Sequence, residues 1–204
     1  MAGRIAPLTG AAFVILLIAT FAISGEPPDA DERASEIVEH FTDNKDSIMV
    51  GAVVETLAAA LLVFFGGYLR TVLRDRGQDA GFLPAVAMAG TLAIAIGGAL
   101  DATILFTMAD TADDIGPGSL VTLNALWHND FLPSAMGIFI FLLATGLSVV
   151  RGAGALPKWL GWIMILLAIT AVTPVGLAAF IGAVVVILII SILLAVRAGA
   201  VSPA

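Results

Sequence analysis

The stretch IMVGAVVETLAAALLVFFGGYL, residues 48–69, carries one charged side chain, Glu55, in 22 positions. At a rise of about 1.5 Å per residue, a helix of this length extends roughly 33 Å, which is enough to cross the hydrocarbon core of a bilayer. An acid inside such a helix is costly in lipid and persists where it is paired, hydrated or used. The stretch therefore predicts a transmembrane helix whose acid needs a partner.

The composition of the whole chain agrees with a membrane location. Of 204 residues, 60% are hydrophobic and 12% are charged, whereas a soluble domain is about half apolar and a quarter charged. We expect residues 1–204 to form a single transmembrane domain, an all-α polytopic helical bundle. Cysteine is absent, which excludes disulfides, thiol catalysis and thiolate metal sites.

The apolar blocks predict six spans. The last block would be about 57 Å long as one helix, so we divide it at Thr173–Gly176. The fourth span either begins near residue 120 and kinks at Pro133, or begins at 131 after a surface helix that ends near Asp130. The first run resembles a signal peptide cleaved after Ser24 or a short span, and we favour a retained helix. The predicted spans are about 8–24, 48–69, 82–108, 131–150, 159–173 and 175–196.

The charged loops predict the orientation. Seven of the nine bases fall on one side of the six-span arrangement, and positive charge marks the cytoplasmic side. Both termini are therefore expected in the cytoplasm of a bacterial cell, with the protein in its inner membrane and the acidic loops outside. So few lysine and arginine residues do not make a nucleic-acid-binding surface. We expect the segment 70–76 to be a loop. The seven basic residues on the cytoplasmic side are Arg4, Arg70, Arg74, Arg76, Arg151, Lys158 and Arg197.

Between the first two spans, four apolar residues recur at helical spacing. Ala34, Ile37, Val38 and Phe41 predict a short amphipathic helix at the outer surface. Within the membrane, helices associate through small residues that permit close approach. The third span carries two rows of small residues with a spacing of four, which should point inward. The last span is rich in Val, Ile and Leu all round, so we expect it to face lipid.

Several polar residues should lie at one level of the bundle. Glu55 and Asp101 lie roughly 10 and 8 Å from the outer ends of their helices. The segment NALWHND, residues 124–130, enters from the same side. Two neighbouring carboxyl groups without an internal base should not both be ionised, so we expect them to share a proton or bind a cation. The candidate binding residues are Glu55, Asp101, Asn124, His128, Asn129 and Asp130.

Each of these residues also has a purely structural interpretation. Asn129 and Asp130 could cap the fourth helix, and His128 could lie among lipid headgroups. Asp101 could extend its carboxyl group to the outer interface, and Glu55 could bond a backbone carbonyl. Glu55, Asp101 and His128 are weak candidates for a metal site, because no ligand pair is spaced three or four apart on one helix. We therefore expect no cofactor. The sequence has no nucleophile elbow, zinc-protease motif or phosphate loop.

Several segments resemble a group of uncharacterised small polytopic membrane proteins from high-GC bacteria. The resemblance implies a compact helical membrane protein with a short outer helix and no known activity. Its most specific part is ALPKWLGW, residues 155–162. The other parts are residues 35–41, 48–51, 69–70, 123–124 and 173–176.

Three functions remain open on this pattern. The first is an outward-facing pocket that binds a proton, a cation or a small or lipid-like ligand. The second is a membrane enzyme that uses the acids and His128 as general acid and base on a lipid-like substrate. The third is a structural subunit. Besides the lipid bilayer, a second copy of the chain or a larger membrane complex is an expected partner.

Overall fold

The computed structural model describes residues 5–76, 81–152, 156–171, 173 and 176–200. Over these residues the protein is all-α, with no strand, as the sequence predicted. The helices are α1 (Leu8–Ser24), α2 (Ala34–Asp43), α3 (Lys45–Arg76), α4 (Phe82–Thr111), α5 (Pro117–Trp127), α6 (Leu132–Val150), α7 (Lys158–Ala171) and α8 (Gly176–Ala200).

Four segments are long and apolar enough to cross a membrane. They are Lys45–Arg74, Phe82–Thr111, Pro117–Val150 and Ala178–Ala198, the third of which combines α5, α6 and the turn between them. Helices α1 and α7 are apolar but shorter. These lengths and compositions are those of a membrane protein.

The six apolar helices α1, α3, α4, α6, α7 and α8 form a ring in which successive members pack side by side and α8 returns to α1. Neighbouring helices run antiparallel. For example, Gly51 near the start of α3 lies against Ser24 at the end of α1, and Gly10 near the start of α1 lies against Phe65. Ser191 closes the ring, because its hydroxyl accepts the Ala11 N–H at 2.9 Å and donates to the Pro7 carbonyl at 2.5 Å.

The antiparallel order separates the charges. Arg70 in the last two turns of α3, Arg151 after α6 and Lys158 at the start of α7 lie at one end of the bundle, and Arg33 and Lys45 lie at the other. The acidic segments 26–46 and 110–114 also lie at that second end. Arg4 lies outside the described residues.

Small residues allow α4 and α6 to approach closely. A Cβ atom added at Gly90 would lie 2.5 Å from the backbone nitrogen of Phe141, and one at Gly137 would lie 2.6 Å from that of Ile94. The backbones are therefore in direct contact, as expected where lipid supplies no hydrophobic driving force between helices.

The predicted rows of small residues are only partly correct. One row begins Ala87, Thr91 and Ala95, which are buried, but it ends at Thr103, which is exposed. The other row begins at Ala85 and Ala89, which are both exposed. A step of four residues turns the helix by about 40° beyond a full circle, so a long row winds from one face to another. By contrast, the small neighbours of Glu55 are all buried: Gly51, Ala52, Ala58 and Ala59.

Two further expectations are wrong. The basic segment 70–76 is not a loop, because α3 continues to Arg76 with Leu69 and Leu73 buried on the ring. The last helix does not face lipid all round. It buries Ala183, Ile187 and Ile190 in the main core, since a shape-matched apolar face can pack on protein as well as on lipid.

A second, smaller core covers the acidic end of the bundle. The predicted amphipathic helix exists as α2, and its Ile37 and Phe41 are fully buried. They pack with Leu120 of α5 and with Met108 near the end of α4. His40 on the same helix is half-buried rather than solvated, and burial lowers the pKa of its imidazole.

The fourth apolar block is divided into two helices and is not one continuous kinked helix. Helix α5 ends at Trp127, a tight turn follows, and α6 begins at Leu132 with Pro133 in its first turn. In the turn, the Asp130 N–H bonds the Trp127 carbonyl at 3.3 Å. This break places residues 127–134 at the acidic end of the ring. Four of their side chains reach the interior: Trp127, Asp130, Phe131 and Ser134.

Candidate functional site: a cavity lined by carboxyl groups

A cavity of about 570 Å³ lies inside the ring, near the end covered by α2 and α5. Its walls come from α1, α3, α4, the turn before α6, and Phe180 of α8. Most of these walls are apolar or aromatic. Four acids line it as well: Glu26, Glu55, Asp101 and Asp130.

Glu55 and Asp101 meet in this cavity. Glu55 is 9% exposed, and it stands on the small-residue face of α3 opposite Gly98 of α4. One turn along α4 from Gly98, the carboxyl group of Asp101 lies within hydrogen-bonding reach of the Glu55 carboxyl group. Two carboxylates repel each other, so this contact holds when one carries a proton or a cation lies between them.

Asp130 and Trp127 complete the upper wall. Asp130 is near enough for its charge to act on Glu55, and the charge of Asp101 acts on Asp130 in turn. The indole N–H of Trp127 faces Asp101 but does not reach full hydrogen-bond geometry with any acceptor among the described residues. One oxygen of Asp130, Oδ2, is also buried without a partner there. The site therefore holds unused donors and acceptors beside the carboxyl pair.

Ser24 supplies another unused polar group. Its side chain, 7% exposed, lines the cavity against Gly51, and its hydroxyl has no hydrogen-bond partner in the described part of the chain. A buried hydroxyl without a partner costs about 1–3 kcal/mol. A residue larger than glycine at position 51 would displace this hydroxyl, so the close approach of α1 and α3 positions it.

Three predicted site residues do not line the cavity. Asn124 is fully buried, and its amide donates to the carbonyls of Pro28 and Asp29 at 3.2 and 3.3 Å. His128 Nε2 lies 2.9 Å from the Pro28 carbonyl, which can only accept, so this nitrogen carries the proton. Asn129 is exposed and donates to the Ala125 carbonyl at 2.7 Å, at the end of α5. Asn124 and His128 fasten the segment after α1, and Asn129 caps a helix.

The ionisable side chains that line the cavity, among the described residues, are all acidic. No lysine, arginine or histidine lines it among the described residues. Nor does that part of the chain contain a group of three His, Asp or Glu side chains placed to hold a metal ion. The weak metal candidate of Glu55, Asp101 and His128 has no geometric support, because His128 bonds Pro28 instead.

Sequence reasoning missed the serine and the aromatic walls. Ser24 was interpreted as the end of a cleavable segment, and Glu26 as one of many loop acids. The aromatic residues Phe13, Phe21 and Phe131 carried no signal beyond hydrophobicity, although all line the cavity. A search for polar residues at the level of Glu55 on every helix would have found Ser24.

No family model, no curated protein and no solved structure matches this chain. The resemblance to uncharacterised bacterial membrane proteins therefore stays a prediction.

Proposed function

We propose that this chain is a six-span protein of the bacterial inner membrane that binds a proton or a cation at Glu55 and Asp101. In this proposal both termini are cytoplasmic and the cavity opens toward the outer side. The separation of charge along the bundle supports the orientation, since positive charge marks the cytoplasmic side. Six basic residues of the described chain lie at one end: Arg70, Arg74, Arg76, Arg151, Lys158 and Arg197.

The observation that carries the proposal is the contact between the buried Glu55 and the half-buried Asp101, in a cavity that no base lines among the described residues. An uncompensated charge in such surroundings is strongly unfavourable, and two of like sign are worse. A bound proton or cation removes the repulsion. A pair that only joined α3 to α4 would be expected to be enclosed between these helices, whereas these carboxyl groups also line open volume.

The enzymatic alternative requires His128 beside the acids, and His128 does not line the cavity. General acid–base chemistry by an acid and a histidine needs the two groups within reach of one substrate. His128 bonds the Pro28 carbonyl and does not line the cavity with the acids. We therefore propose binding rather than catalysis.

Modification by dicyclohexylcarbodiimide tests the proposal, because this apolar reagent reacts with protonated carboxyl groups in apolar surroundings. We expect mass spectrometry of the purified protein to find the adduct on Glu55 or Asp101. The Glu55→Gln, Asp101→Asn double variant should lose it, and Glu39→Gln, which changes an exposed acid of α2, should retain it. Adducts only on exposed loop acids would contradict the proposal.

A further inference from the structure

The occupant of the cavity can be defined more closely than a proton or cation. We infer that the cavity binds an amphiphilic organic monocation, a protonated or quaternary amine carrying an apolar body. This inference rests on the proposed function, because it needs the carboxyl pair to be a binding site. Four observations support it.

The first observation is charge. The ionisable groups on the cavity wall are all carboxyl groups, and no base lines it in the described ranges. An anionic ligand such as a fatty acid or a phosphate ester would meet only repulsion. When Glu55 and Asp101 share one proton, the pair keeps one negative charge, which a single positive charge on the ligand matches.

The second observation is size and polarity. A volume of about 570 Å³ lies within the usual range of small-molecule sites, about 300–1,000 Å³, and far exceeds that of a bare ion. Below the carboxyl groups the wall is apolar, with Phe13, Leu17, Leu62 and Ile94. A hydrated metal ion would leave water against these side chains, whereas an apolar body would cover them.

The third observation is the unused polar group on the wall. The hydroxyl of Ser24 is more than nine-tenths buried, lines the cavity and has no partner among the residues described. An ammonium N–H can donate to it. Trp127 also lines the cavity, and its indole N–H is directed at Asp101, so its ring stands beside the carboxyl pair.

The fourth observation is the entrance. Phe21 of α1 and Phe131 before α6 both line the cavity and are 61% and 59% exposed. Each of these side chains therefore borders the cavity and also reaches the outer surface of the bundle. An amphiphile dissolved in the bilayer can enter the cavity past such an exposed aromatic side chain.

A matched pair of probes tests the inference. Octyltrimethylammonium and octyl sulfate have the same alkyl chain and opposite charges. The full chain carrying Trp159→Phe and Trp162→Phe keeps Trp127 as its only tryptophan, in nanodiscs of zwitterionic lipid. We expect the Trp127 emission to change saturably with the cation and not with the anion. Affinity for the cation should fall about tenfold or more in Glu55→Gln, Asp101→Asn, because the negative charge that attracts the ammonium group is lost.

Two further variants separate binding from misfolding. Ala59→Phe adds a ring on the cavity wall and keeps both carboxyl groups, so it should abolish binding of the cation while carbodiimide still modifies the pair. Ser24→Ala should weaken binding of octylammonium, which has N–H groups, and leave octyltrimethylammonium unchanged. Glu39→Gln is the neutral control.

The outcomes distinguish the inference from the proposed function. Equal saturable binding of octyl sulfate, or the same emission change with sodium, potassium or magnesium ions alone, would overturn the organic monocation. Absence of cation binding while carbodiimide modifies Glu55 or Asp101 would overturn the inference and leave the proposed function standing. Failure of both measurements would overturn both.

Discussion

Asn124 shows at the level of one residue how a polar group shapes a cavity that it does not itself line. It is fully buried at the end of α5, and its amide bonds two consecutive carbonyls of the segment that follows α1. His128, one turn further along, bonds the first of these carbonyls. The segment holds Glu26 and Pro27 at the cavity wall, so these bonds shape its rim.

Replacing Asn124 by leucine should therefore destabilise the protein. The Asp29 carbonyl would lose its Asn124 donor, and the Pro28 carbonyl would keep only His128, which together cost about 1–3 kcal/mol. We expect a lower midpoint of thermal unfolding, measured in detergent by the loss of helical circular dichroism. Asn129→Ala is the control, because that side chain is exposed and caps only its own helix. Equal midpoints for the two variants would show that the bonds of Asn124 contribute nothing.

Glu55 and Asp101, unlike Asn124, line the cavity themselves. Their shared level was readable from the sequence, and so were the small residues around Glu55, but α3 and α4 extend further than predicted, to Lys45 and Thr111. Their mutual contact depends on the rotation of α3 against α4, which no local pattern encodes. A tight contact between the two helices lies at Gly66, where an added Cβ atom would clash with the Thr91 side chain, whereas one at Gly98 would lie 3.6 Å from the Glu55 carboxyl group.

At the scale of elements, the contact between α4 and α6 decides the position of the upper wall. Gly90 and Gly97 of α4 meet Phe141 and Ser134 of α6 at backbone distance. This approach brings the start of α6, and with it Phe131, over the cavity. Helix α6 is apolar all along, so its hydrophobic pattern alone did not show which face would be buried.

Gly90→Ala should separate these two helices. The added methyl group would lie 2.5 Å from the Phe141 backbone nitrogen, which cannot rotate away as a side chain can. Overpacking of this kind costs about 1–3 kcal/mol, so we expect a lower unfolding midpoint in detergent. Gly67→Ala is the matched control, since this helical glycine of α3 has no neighbour within 4 Å.

The control should be neutral or slightly stabilising, because alanine is favoured over glycine in a helix interior by about 0.5–1 kcal/mol. If Gly90→Ala were equally well tolerated, the backbone contact between α4 and α6 would not be tight in solution.

At the scale of the whole molecule, the orientation in the membrane is a separate prediction. The chain contains no cysteine, so a single introduced thiol reports its own location. We expect Asp113→Cys, in the acidic turn after α4, to react with a membrane-impermeant maleimide added to intact cells. Lys158→Cys, at the opposite end of the bundle, should react only after the cells are permeabilised. The reverse pattern would invert the proposed topology and place the cavity on the cytoplasmic side.

The sequence by itself determined that this is an all-helical protein with membrane-spanning segments and the approximate bounds of its apolar helices. Those features follow from hydrophobic runs and helix geometry, which are local and additive along the chain. It also indicated the separation of charge and the level at which the acids lie.

Only the tertiary structure decided which polar residues share a cavity. Asp130 lines the cavity with Glu55 and Asp101, whereas Asn124 and His128 bond the Pro28 carbonyl. Ser24 also lines the cavity, which the sequence did not predict. Neighbouring residues on one helix differ by about 100° in direction, so the rotation and close approach of each helix determine where a side chain points. That rotation is set by contacts between residues far apart in the chain, such as Gly97 with Ser134.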